Sequence, residues 1–420
     1  MNAHRMVSER SRSTASTASP ARQASLREHN LSLVLRHICS AGSGVSRAHL
    51  ARHTGLTRAT VSELVDLLLQ AGMVRELTPQ ALAGAGRPAT PVIPAEQGLR
   101  GIGIDIAVDH IAVCTVTLTG TMATQRVIEG EFALSHPERL LARVSRMVEA
   151  TIADTVAAGA QVAGVCVALP GLVDPEHSRL RHAPNLNWSD LPIGELLRTA
   201  LGRPELAVLV GNDASLAATA EVLIRARRED VRATADFLYI TGEVGIGGAI
   251  VRRGELSGGT RGWAGEIGHT NIDANGELCT CGARGCLERY AGKAAFIARA
   301  GLPPGSSWEQ LHRSIAGGDP AALAAVAEVG AALGVAAASA LNVLDIDTIL
   351  LGGAYASLAD QLAPGILAEL RNRVIAVRFA GAEVYVEGAL GGEHAALHGA
   401  GLTVVNAVLA NPSAWLDTAP

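Results

Sequence analysis

Gly265-Glu266-Ile267-Gly268-His269, followed by Cys279-Thr280-Cys281-Gly282-Ala283-Arg284-Gly285-Cys286-Leu287-Glu288, decides how this chain is read. Three thiols and one imidazole fall within eighteen residues. That is the donor composition of a closed, four-coordinate zinc site. The glycines among the cysteines permit the tight turns that converge thiolates. Cys39, Cys114 and Cys166 stand singly among apolar residues and read as core. Clustered thiols point to metal before disulfide. One structural Zn2+ per chain is therefore expected on His269, Cys279, Cys281 and Cys286. Four protein ligands leave no open position for a reactive water, which argues against a zinc hydrolase.

Upstream of this block the pattern is mixed α/β. Gly101–Ile106 and Ile111–Leu118 read as apolar strands, with a third near Arg126–Phe132. A helix from Pro137 to Ala158 and a buried strand, Val162–Ala168, follow. Strand Val208–Val210 then runs into Gly211-Asn212-Asp213 and a helix. A second series starts at Phe237–Thr241, with a hairpin to Ile250, and ends with strand Ile346–Leu351 and two helices. Two similar βββαβα-like halves around a cleft suggest the actin-like ATPase (ribonuclease H-like) architecture, whereas periodicity alone supports only a mixed α/β class. The expected lobes are 99–212 with a C-terminal helix at 393–410, and 213–392 with the zinc loop.

The first hundred residues read differently. Leu31, Val34, Leu35 and Ile38 recur at helical spacing before Gly42-Ser43-Gly44. Ser46 is the expected N-cap of a short second helix through His53. Gly55 breaks the chain, and Thr57 caps a third helix to about Ala71, with Val61, Leu64, Val65, Leu68 and Leu69 as its buried stripe. A short helix, a Gly turn and a longer helix opening Thr57-Arg58-Ala59-Thr60 form a helix-turn-helix pattern. Gly72-Met73-Val74 begins a strand, and Gly84-Ala85-Gly86-Arg87-Pro88 reads as the tip of a wing. Ser46, Thr57, Arg58, Thr60 and Arg87 are the expected DNA contacts. The winged unit spans 26–87, and the proline-containing stretch 88–98 reads as a linker.

Charge divides along the same line. Residues 1–94 hold eleven arginines against five carboxylates, a net of +6, on a chain whose overall charge is −5. A basic head on an acidic body suits a double-stranded DNA operator, an inverted repeat if the chain is a homodimer or a dimer of dimers. Residues 1–25 are rich in Ser, Thr, Ala and Arg and read as a disordered tail rather than a secretory leader. No run of about 20 apolar residues is read along the chain, so no membrane span and a cytoplasmic location are expected.

The His269–Glu288 block, the Asn212-Asp213 turn and the N-terminal head together resemble the ROK family (repressor, open reading frame, kinase), from about residue 28 to 410. That family joins bacterial sugar kinases with sugar-responsive repressors, and only the repressor branch carries the helix-turn-helix. The resemblance implies a sugar-kinase-type body. It places Zn2+ on the four residues above and sugar hydroxyls on Asn212, Asp213, Glu266, His269 and Glu288. His269 serves both because imidazole has two nitrogens. Pro184-Asn185-Leu186-Asn187-Trp188 resembles the family's sugar-side loop. Asp213 matches the general base of the kinase branch, so an ATP-dependent sugar kinase is the alternative. Against it, the kinases' Asp-Ile-Gly-Gly-Thr-Lys is here Asp105-Ile106-Ala107-Val108-Asp109-His110. Their Gly-Thr-Gly-Ile-Gly-Gly is here Glu243-Val244-Gly245-Ile246-Gly247-Gly248. Side chains and carboxylates stand where amides should cradle phosphate. The expectation is a domain that binds a small sugar effector, with no catalytic residue.

Overall fold

A computed structural model describes residues 21–78, 90–228 and 236–418 of the chain. Its contacts divide it into two units, 1–95 with 408–420 and 96–407.

The first unit holds α1 (Ala21–Ser40), β1 (Val45–Ser46), α2 (Arg47–Thr54), α3 (Arg58–Gln70), β2 (Val74–Glu76) and β3 (Pro91–Pro94). Leu31, Val34, Leu35 and Ile38 are buried on α1. Ser46 caps α2, its Oγ accepting from His49 N at 3.2 Å. Thr57 caps α3 in the same way, from Thr60 N at 3.1 Å. Val61, Leu64, Val65 and Leu68 are buried, whereas Leu69 is only half-buried. Pro91–Pro94 is not linker: it forms the middle strand of a β1-β3-β2 sheet, pairing Val45 with Val92 and Arg75 with Ile93. Its prolines sit at the two strand ends, where a missing N–H does least harm, and Val92 between them is fully buried. The expected wing tip at Gly84–Pro88, Arg87 included, and the tail before Ala21 lie outside the described residues.

The second unit opens with β4 (Leu99–Ile106), β5 (His110–Thr117), β6 (Met122–Glu129), α4 (Pro137–Ala157) and β7 (Gln161–Leu169). It continues with β8 (Leu172–Asp174), β9 (Arg179–Ala183), β10 (Trp188–Leu191), α5 (Ile193–Leu201), β11 (Val208–Asn212) and α6 (Asp213–Ala226). The five-stranded sheet runs β11-β7-β4-β5-β6, antiparallel through β4-β5-β6 and parallel at β4-β7 and β7-β11. The third strand ends at Glu129 rather than Phe132, because Phe132 turns into the core and its N–H bonds Val108 O at 2.7 Å.

The second lobe holds β12 (Phe237–Gly242), β13 (Ile246–Arg252), β14 (Glu255–Leu256), α7 (Glu288–Ala291), α8 (Lys293–Arg299) and α9 (Trp308–Ala316). It ends with α10 (Pro320–Leu344), β15 (Thr348–Gly353), α11 (Ala359–Arg373), α12 (Ile375–Ala380) and β16 (Tyr385–Gly388), after which α13 (Ala395–Ala410) returns to the first lobe, where Leu397 O meets Cys114 Sγ and His398 meets Gly120 O. Its sheet, β14-β13-β12-β15-β16, again joins an antiparallel side to a parallel one. The repetition is the two-lobed, actin-like plan.

By length and composition α10 is long and apolar enough to cross a membrane, although Glu328 interrupts its apolar run. Its Ala and Gly content has another use here. A Cβ on Gly330 would lie 2.8 Å from Leu362 O, so α10 and α11 lie backbone against backbone. Val326, Val329, Leu333 and Leu341 of α10 are buried in the second lobe's core.

Candidate functional site

The ends of β4, β11 and β12 and the N-terminus of α6 meet the zinc-type loop at one cleft, lined by residues from Asp105 to Ala396. Crevices at strand carboxyl ends are where α/β sheets place ligands.

The loop builds a donor cage. Cys279 N bonds Ala283 O at 2.7 Å, and Leu287 N bonds Thr270 O at 2.9 Å, which closes two turns. Gly285, at φ 68, allows the return: a Cβ there would lie 1.7 Å from Asp273 O. His269 Nδ1 lies 3.9 Å from Cys279 Sγ, and Cys281 Sγ lies 3.6 Å from Cys286 Sγ. All four donor atoms lie within 4.8 Å of one another. A tetrahedral ion with bonds of about 2.0 Å to nitrogen and 2.3 Å to sulfur needs edges of roughly 3.5–3.8 Å, so the residues fit a metal. With Nδ1 turned to the thiols, the rest of the His269 ring lines the cleft.

All five sugar-type residues line that cleft. Asn212 caps α6, accepting from Ser215 N at 3.0 Å and donating to Gly171 O at 3.1 Å. Much of its polar capacity is therefore used on the fold. Asp213 accepts from Ala214 N at 2.7 Å, and burial, with Asp105 and Glu266 nearby, pushes its carboxyl up to about 7. Burial also raises Glu266, with Glu288 adding and His269 opposing. Glu288 Oε2 accepts from Ile246 N at 3.1 Å, tying the metal loop to the β12–β13 turn. Pro184 and Asn185 of the sugar-side loop line the cleft, but Trp188 is core, its Nε1 donating to Ser135 O at 2.9 Å.

The β4–β5 and β12–β13 turns that line the cleft are both acidic, with Asp109 on one and Glu243 on the other. Burial, then Asp213, pushes Glu243 up to about 8. On the β4–β5 turn an arrangement appears that the sequence reading missed. His110 Nδ1 lies 2.8 Å from Asp109 and its Nε2 lies 3.3 Å from Asp105. Those two bonds raise the imidazole to about 10, so it is a cation at neutral pH. The His110 bond, and more weakly the charge of Lys293, hold the Asp109 carboxyl below its usual range. Lys293 is the chain's only lysine and opens α8. Glu393 also lines the cleft, with no local sequence signal to mark it.

In the first unit, Thr57, Arg58 and Ala59 are exposed at the start of α3, with Thr60 half-buried beside them. Ser46 and Thr57 spend their hydroxyls on caps. Arg58 makes no hydrogen bond or ion pair among the described residues, whereas Arg47 pairs with Asp66 at 2.7 Å and Glu76 at 2.9 Å.

Fold and site thus define a class: a helix-turn-helix head on a body built like a sugar kinase. Residues 32–82 match the MarR family and 101–406 the ROK family. The chain belongs to the ROK family. It is 27% identical to the xylose repressor of Bacillus subtilis, over 84% of this chain and 89% of that one. It is 25% identical to the DNA-binding transcriptional repressor Mlc of Escherichia coli, over 83% and 87%. A crystallised ROK family transcriptional regulator, a homologue of Mlc, superposes with a TM-score of 0.77 at 25% identity, over 93% of this chain and 99% of that one. A ROK glucokinase from Streptomyces griseus, solved with glucose and AMPPNP, gives 0.60 at 25% identity, over 72% and 98%.

Proposed function

We propose that this protein is a cytoplasmic, sugar-responsive transcriptional repressor of carbohydrate genes, whose kinase-type cleft binds its effector without phosphorylating it. The observation that carries the reading is one chain holding an exposed helix start at Thr57–Ala59 and a cleft lined by Asp213, Glu266 and Glu288, with acidic turns at Asp109 and Glu243. Asp213, Glu266 and Glu288 accept hydrogen bonds from sugar hydroxyls, and His269 adds its outward nitrogen. Glu243 and Asp109 bring carboxyl groups where a triphosphate would need N–H donors, which disfavours the nucleotide. A zinc ion on His269, Cys279, Cys281 and Cys286 fixes the loop that presents His269 and Glu288.

In the head, α3 enters the major groove of an inverted-repeat operator, with Arg58 reading a base or phosphate and Ser46, Thr57, Thr60 and Arg87 beside it. Two heads of a homodimer, or of a dimer of dimers, meet half-sites about one DNA turn (~34 Å) apart. The effector shifts DNA affinity only by its own preference between the two conformations. Footprinting of genomic fragments with and without a sugar panel tests this. Protection of an inverted repeat that one sugar alters is the expected result; no protection above non-specific background at physiological salt overturns it.

One observation favours a second reading: Asp213 keeps the general-base position at the α6 N-terminus. A coupled ADP assay separates the two. Background turnover is expected, and sugar-dependent ADP release at ordinary kinase rates, ~1–100 s⁻¹, establishes the kinase.

A further inference from the structure

The cleft carries a charge imbalance that sugar hydroxyls alone do not use. Seven carboxylates line it, from Asp105 and Asp109 on the β4–β5 turn to Glu393 just before α13. No arginine or lysine side chain lines it; the basic groups there are His110 and His269. His110 is committed to Asp105 and Asp109, and His269 turns Nδ1 toward the thiols. Glu243, Glu266 and Glu393 make no side-chain hydrogen bond or ion pair among the described residues, and Asp213 accepts only from its neighbour's amide. These oxygens do not converge as metal ligands: among the described residues the Cys₃His group is the one cluster that does.

We propose that the effector of this cleft is a cationic amino sugar, its ammonium held at Asp213 and Glu243, and that anionic sugars such as sugar phosphates and uronates are excluded. The inference rests on the sugar-binding reading and narrows it. The chain supplies its own precedent on the same floor, where a nitrogen cation, His110, sits between two of the seven carboxylates. Asp213 and Glu243 lack such a partner, and the two line the same cleft, where like charges repel. An ammonium relieves that repulsion and donates charge-assisted hydrogen bonds, about twice as strong as those of a neutral hydroxyl. A phosphate in the same space adds to the repulsion instead.

Calorimetry on the full-length, zinc-loaded protein tests this. The probes are glucosamine, galactosamine and mannosamine, each beside its parent hexose, its N-acetyl derivative and its 6-phosphate, with xylose added. One amino sugar should bind about tenfold tighter than its parent and its N-acetyl form, the scale of one added charge-assisted bond. Its advantage should fade with added salt, and no 6-phosphate should bind. Glu243→Gln should bring amine and parent toward equal affinity, and an amine preference that survives the change overturns the inference. A neutral sugar or a 6-phosphate bound as tightly as the amine overturns the inference and leaves the sugar reading standing. Silence across the whole panel overturns both.

Discussion

His110 illustrates what a single residue does here and why it is hard to read from sequence. Its two aspartates stand at i−1 and i−5. Asp105 pairs with Ala112 across the β4–β5 hairpin, which makes His110 its diagonal neighbour. Without the hairpin register, Asp109 reads as bare negative charge; with it, the charge is answered. His110→Gln should destabilise the protein by up to about 3 kcal/mol in urea titrations, below the cost of a fully buried pair because the ring is 24% exposed. The folded imidazole is raised from 6.5 to about 10. Its contribution is therefore full below about pH 6.5 and is lost as pH rises through about 10. The gap between wild type and variant should shrink between pH 7 and 10, and a constant gap contradicts the ion pair. The metal residues are the opposite case, since Cys-x-Cys-x₄-Cys spacing displays them openly. Elemental analysis should find about one zinc per chain, and Cys281→Ala should lose both the metal and sugar binding. A folded, metal-free variant that still binds sugar would refute the coupling.

Among the elements, α6 joins the cleft to the core. Its N-terminus presents Asn212 and Asp213, while Glu221 and Arg225, 1% and 3% exposed, pair beneath at 2.7 Å. Arg225 also bonds Glu387, at 2.6 Å, and Glu221 accepts from Leu390 and Gly391 amides in the loop that leads to Glu393. Arg225→Met should cost about 3–5 kcal/mol, seen as a lower urea midpoint, because Glu221 is left as an unanswered buried charge. Thr57→Ala should cost about 1 kcal/mol through the lost cap of α3. Arg58→Ala should leave the melting curve unchanged and weaken operator binding by about 1–3 kcal/mol if it reads a guanine. Fluorescence anisotropy on operator and scrambled DNA separates the two. Elements with strong periodicity, such as α3 and α4, were legible in sequence. β3 was not, because prolines at both ends imitate a linker. α10 was not singled out, because an Ala- and Gly-rich helix buried on much of its surface shows little periodicity.

At the scale of the whole chain, the head's +6 and the body's acidity predict that DNA binding resides in the head. Deleting residues 1–94 should abolish operator affinity in a gel-shift assay while calorimetry on the same protein still detects sugar. Retained DNA affinity would defeat the regulator reading. Head, two-lobed body and metal loop were all visible in sequence, since each is a local pattern. The sugar residues came only through resemblance, Glu393 came not at all, and neither did the gathering of all seven carboxylates in one cleft. It is assembled from positions between 105 and 393, and only the folded chain brings such distant residues together.

Lys293 has a practical consequence. As the only side-chain amine, it makes lysine chemistry a single-address reaction, so an amine-reactive fluorophore marks one side chain whose charge reaches the cleft turn at Asp109. A lysine-directed protease likewise has one bond to cut, and it would part the metal loop and everything before it from α8 and all that follows. Occupancy of the cleft then becomes something to watch optically or to count on a gel, as a dye that changes colour or a cut that slows.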